Sequence, residues 1–65
     1  MTLVEAIKSI DEKLNVNLQE FDNDEELVPI ACYNSKNDID PQYYDYPVLS
    51  CVQRSRDLVD VLISN

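Results

Sequence analysis

Apolar positions recur along this chain at helical spacing in two places. Leu3, Ile7, Ile10 and Leu14, with Ala6 beside them, return every three or four residues, while Glu5, Lys8, Ser9, Glu12 and Lys13 fill the other side. That period predicts an amphipathic helix over 3–14, about three turns long. Thr2-Leu3-Val4-Glu5 has the form of a capping box, in which the Thr hydroxyl and the Glu carboxylate each accept an unpaired N–H at the helix start. Asn15 suits the far end, because Asn tolerates the left-handed conformation that stops helices and the chain has no glycine for that task.

The second region lies at the C-terminal end. At about 100° per residue, Val48, Leu49, Cys51, Val52, Leu58, Val59, Leu62 and Ile63 share one broad face. Ser50, Gln53, Arg54, Arg56, Asp57, Asp60 and Ser64 take the other, and only Val61 and Ser55 depart from the pattern. Pro47 fits the first turn of a helix, where its missing N–H costs nothing, and Asp45 can cap it. The expectation is a helix over 47–64, with Arg56 and Asp60 paired one turn apart. A competing reading has a strand from Tyr46 to Gln53 followed by a shorter helix, since Val and Tyr also favour strands.

Between these regions, Leu27-Val28-Pro29-Ile30-Ala31-Cys32-Tyr33 reads as a strand or a short helix, with Pro29 arguing against a central strand. Residues 34–47 are rich in turn formers and read as an irregular loop, long for a domain of this size. The fold class expected is mainly α: two amphipathic helices, about 3–14 and 47–64, packed with a short middle element (a helix or a strand pair) and a long acidic loop. The alternative is a small α+β domain with a β-hairpin between two helices.

Length restricts what such a fold can do. Sixty-five residues make one domain, 1–65, with room for one modest core and no deep pocket. The hydrophobic fraction of 45% argues for a folded chain. No apolar run suits a membrane span, and Met1 leads into a charged amphipathic segment instead of a signal sequence, so the expected location is cytoplasmic. Cys32 and Cys51 are too far apart for a C-x-x-C site and read as buried small hydrophobes, with a Cys32–Cys51 disulfide as the alternative.

Charge changes the picture most. The net charge is −8, and residues 20–45 hold Glu20, Asp22, Asp24, Glu25, Glu26, Asp38, Asp40 and Asp45 against Lys36 alone. One reading is solubility. The sharper one is recruitment of a basic partner, because clustered like charge speeds encounter and biases partner choice. Tyr43, Tyr44 and Tyr46, interleaved with Asp40 and Asp45, favour it, since Tyr supplies rigid amphipathic contact area. The candidate partner-binding residues are therefore Asp22, Asp24, Glu25, Glu26, Asp38, Asp40, Tyr43, Tyr44, Asp45 and Tyr46.

The expected function is that of a small acidic protein-binding module, an inhibitor occupying a basic surface of a partner protein. A nucleic-acid-binding protein is one such partner, its groove filled by carboxylates standing where phosphates would lie, as in nucleic-acid mimics of phage or mobile-element type. Direct nucleic-acid binding is disfavoured by thirteen acids against five bases. The Tyr43-Tyr44 pair beside acids resembles, over those few residues only, the paired tyrosines of the DNase-colicin immunity proteins, small acidic helical inhibitors. The alternative function is a structural subunit or adaptor that docks or self-associates through the apolar face of helix 47–64.

Catalysis is disfavoured. The chain has no histidine for a Ser-His or Cys-His pair and no glycine for a phosphate-cradling loop, and its acids lie in open loop. Asp22-Asn23-Asp24-Glu25-Glu26 and Asp38-Ile39-Asp40 begin like calcium loops, but Leu27 or Tyr43 stands where glycine is needed, and the bidentate Glu at the twelfth position is absent. No cofactor or metal is expected.

Overall fold

In the computed structural model, which describes residues 1–64, the chain is mainly β. One short helix, α1 (Leu3–Ile7), precedes strands β1 (Asn15–Phe21), β2 (Leu27–Tyr33), β3 (Val48–Ser55) and β4 (Leu58–Ile63), with 3₁₀ turns at Lys36–Asp38 and Pro41–Tyr43. The strands form one sheet in the order β2-β1-β4-β3. The central pair, β1 and β4, is parallel, and each outer strand joins it as an antiparallel hairpin partner.

The expected helix over 47–64 is instead the β3–β4 hairpin. Eight apolar residues at helical spacing were compatible with one helical face, but β4 alternates strictly, with Val59, Val61 and Ile63 buried and Leu58, Asp60 and Leu62 half-buried on the other side. The two residues that depart from the helical face report the hairpin. Val61 is fully buried at the centre of the sheet, and Ser55 ends β3 at the turn. Arg56 does not pair with Asp60 along a helix; Arg54 does so across the hairpin. The competing strand over 46–53 overlaps β3, but no helix follows it.

The N-terminal helix begins as expected and stops early. Glu5 Oε1 accepts from both the Thr2 N–H (3.2 Å) and the Thr2 hydroxyl (2.9 Å). After Ile7 the Ser9 hydroxyl donates to the Ala6 carbonyl (2.8 Å), and Asp11 Oδ1 accepts the Lys13 N–H (2.9 Å). These short polar side chains offer the backbone local alternatives to further helix. The chain therefore turns at 8–14, and Asn15, expected as a helix stop, starts β1. Leu3 and Ile10 still reach the core, with Ile7 and Leu14 half-buried against it.

All nine core residues are apolar: Leu3, Ala6, Ile10, Val16, Leu18, Ile39, Val59, Val61 and Ile63. Val16, Leu18, Val59, Val61 and Ile63 share one face of the sheet, and Leu3 and Ile10 from the N-terminal segment and Ile39 from the 34–47 crossover pack with them; the crossover carries the chain from edge strand β2 to edge strand β3. Tyr33, Tyr43, Tyr44 and Tyr46 close this core from the side. No element among the described residues covers the opposite face. By register it carries Asn17, Gln19 and Phe21 of β1 with Asp60, Leu62, Val52, Leu27 and Cys32. Pro29 sits in an outer strand, where its missing N–H breaks no ladder bond to a second neighbour.

The four strands separate this chain from the helical immunity proteins that the Tyr43-Tyr44 pair resembles. The cysteines are also corrected: both are exposed and free. They sit on the two outer strands, three strand spacings or about 14 Å apart, beyond the reach of a disulfide.

The β1–β2 turn closes without glycine. Asp22 N–H donates to the Glu26 carbonyl (2.9 Å), Asp22 Oδ1 accepts the N–H groups of Asp24 (2.8 Å) and Glu26 (2.9 Å), and Glu25 takes a φ of 60°. Holding a residue with a Cβ in this left-handed region costs about 1–2 kcal/mol. Glu25→Gly is therefore expected to stabilise the fold by about 1 kcal/mol, raising Tm by roughly 4–8 °C in a domain of this size, as thermal melts would register.

Candidate functional site: an acidic hairpin and crossover

The expected site residues fall on two ordered elements. Asp22, Asp24, Glu25 and Glu26 make up the tip of the β1–β2 hairpin, and all four are exposed. Asp38, Asp40 and Asp45 are exposed along the crossover, whose course is set by its own side chains. The Ser35 hydroxyl accepts the Asn37 N–H (3.2 Å) at the first 3₁₀ turn, and Asp40 Oδ1 accepts the Gln42 N–H (3.1 Å) at the second, with Pro41 opening it. Ile39 between them is pinned in the core. A stretch legible only as irregular is thus tied down at three points.

The acids divide by what they do. Asp22 and Asp40 build turns. Glu5 caps α1, Asp11 closes the turn before β1, and Asp60 is held between Asn17 Nδ2 (3.2 Å) and the Arg54 guanidinium. Among the described residues, the side chains of Glu20, Asp24, Glu25, Glu26, Asp38 and Asp45 make no hydrogen bond, and Arg54–Asp60 is the one ion pair. Most of the negative charge is therefore uncompensated by the chain itself.

The tyrosines are neither core nor fully exposed: Tyr43, Tyr44 and Tyr46 are all half-buried. The Tyr43 and Tyr46 rings meet edge to face, centroids 5.7 Å apart. Partial desolvation pushes the Tyr43 hydroxyl above its ordinary pKa, and Tyr33, Asp40, Glu20 and Tyr46 add to it. Tyr43 thus stays a neutral donor amid carboxylates, and each of the three tyrosines has a structural role beside any contact it makes.

The hydrogen bonds from Thr2 hold the Glu5 carboxyl below its ordinary pKa. Its contribution to stability is then present above the unfolded-state value and lost as pH falls through the folded one. Glu5→Gln is expected to flatten the acid-side fall of Tm, measured by melts from neutral to acid pH.

Sequence reasoning missed the open-face ladder Asn17–Asp60–Arg54, which spans β1, β4 and β3. Its signal was the polar half of the alternation in β1 and β4. No group of three or more Cys, Asp or Glu side chains converges to hold a metal among the described residues. None of the helices there is long and apolar enough to cross a membrane. No known family, curated protein or solved structure matches the chain. What fold and site together define is a small mixed-sheet domain with an acidic hairpin and crossover, able to accept hydrogen bonds and neutralise cations.

Proposed function

We propose that this domain binds a basic surface of a partner protein and acts as an inhibitor by occupying it. The observation that supports this most is the set of acids whose side chains have no partner among the described residues: Asp24, Glu25 and Glu26 at the hairpin tip, with Glu20, Asp38 and Asp45. Exposed carboxylates on a turn already closed by Asp22 need little backbone ordering to pair with Lys or Arg, which favours recognition over solubility alone. A nucleic-acid-binding protein is the partner class best suited to it, since its groove already accepts spaced negative charge. The half-buried tyrosines beside Asp40 and Asp45 would supply amphipathic contact at the margin.

The test is affinity capture from a lysate at low salt, eluted in steps of rising salt. Capture of one basic protein that elutes early in the series supports the reading. Retention of a partner through high salt would replace it with apolar docking.

A further inference from the structure

We infer that β3 is a pairing edge for a second copy of this chain, the two β3 strands running antiparallel about a two-fold axis near Cys51. The product is one continuous sheet of eight strands.

A sheet edge is a row of unpaired N–H and C=O groups, and proteins protect it with proline, charge or a covering segment. The other edge, β2, has such protection: Pro29 lacks the N–H, and a bulge interrupts its register with β1 between Leu18 and Gln19. By contrast β3, the longest strand, has no proline, acid or lysine, and seven of its eight residues are exposed. Its bulges lie toward its two ends and leave Ser50–Gln53 in unbroken register with β4.

The outer side of the chain leading into β3 already accepts a strand. Val48 N–H donates to the Met1 carbonyl (2.8 Å), Leu3 N–H donates to the Tyr46 carbonyl (2.9 Å), and Thr2 bridges Pro47. Among the described residues nothing pairs with the outer side of β3 from Leu49 onward. Leu49 and Val52 on that stretch are 53% and 45% exposed.

Charge favours this edge. The acidic hairpin adjoins β2, three strand spacings or about 14 Å from β3. Joining two β3 strands puts the two hairpins at opposite margins, about 33 Å apart and several Debye lengths beyond mutual repulsion. Joining two β2 strands antiparallel would leave the hairpins about 20 Å apart, one strand length, and so less well separated.

This inference is independent of the acidic-partner reading, and salt separates the two. Dimerisation of a chain carrying −8 should strengthen as salt screens its self-repulsion, whereas capture of a basic partner should weaken. The experiment is sedimentation equilibrium on the full chain up to millimolar concentration at low and high salt, with amide exchange under the same conditions. The expected result is a monomer–dimer equilibrium tightened by salt, in which amides between Leu49 and Arg54 exchange at least about tenfold more slowly as dimer forms. Leu49→Lys with Val52→Lys, both exposed, should abolish the dimer and leave circular dichroism unchanged. A chain that stays monomeric throughout would overturn the inference. So would a dimer that survives the double substitution with β3 amides exchanging at the monomer rate.

Discussion

Leu18→Ala is expected to leave most of the protein unfolded at room temperature. Leu18 is fully buried in β1, paired in register with Val61 of β4 on one side and Ala31 of β2 on the other. Truncating a buried Leu costs about 2–5 kcal/mol once the cavity is included. A core of this size supplies roughly 3–5 kcal/mol in total. The loss is therefore comparable to the whole stability, and collapsed amide dispersion in the proton spectrum would register it. Retained dispersion with a normal denaturant midpoint would contradict the placement of β1 at the centre of the sheet.

The second large effect concerns binding. Reversing Asp24, Glu25 and Glu26 to Lys together is expected to weaken partner binding by at least a hundredfold, about 2.7 kcal/mol. Each reversal replaces an attraction with a repulsion, and like charges set against each other at an interface cost several kcal/mol. The fold should survive, because these side chains make no hydrogen bonds among the described residues and their mutual repulsion would be exchanged for a similar one. Asp22 and Asp40 are poor choices for the same test. Their carboxylates accept the backbone N–H groups that close the hairpin and the second 3₁₀ turn, so reversal there would confuse folding with recognition. Titration of the captured partner by calorimetry, with circular dichroism on the variant, checks the expectation.

Sequence alone carried the start of α1, the edge character of β2 and the irregular crossover, each through a residue whose local physics admits few alternatives. Thr2 and Glu5 bond locally whatever follows, Pro29 excludes itself from a central ladder, and Asp40-Pro41 opens a turn in most settings. The sheet was hidden for two reasons. Hairpins are usually announced by glycine, and this chain has none: Asp22 and Glu25 build one turn with a carboxylate and a strained φ, and Arg56-Asp57 lie in the other. The alternation itself was diluted. In β1 the outward positions are Asn15, Asn17 and Gln19, residues with little strand preference, and in β3 and β4 apolar residues stand on both faces, which lets them satisfy a helical period as well.

The candidate site was legible as charge and illegible as geometry. Composition located the acids between Glu20 and Asp45, but sequence could not divide turn builders from free carboxylates, because that division rests on which backbone N–H each oxygen meets. Nor could it show that the three tyrosines lean on the core, which reduces their weight as independent evidence for recognition. The apolar C-terminal segment, expected as a docking helix, carries its exposed surface as a bare strand edge instead.

We propose that position, not net charge, would make these acids a binding surface. Two variants of equal net charge separate those alternatives: Asp24→Lys at the hairpin tip, and Asp57→Lys in the β3–β4 turn outside the acidic middle. Their affinities for the captured partner, measured side by side at one low salt concentration, should differ by at least about tenfold, the hairpin variant losing binding while the control stays near wild type. Equal loss in both would show that bulk charge alone drives association and would contradict the assignment of the hairpin as the site.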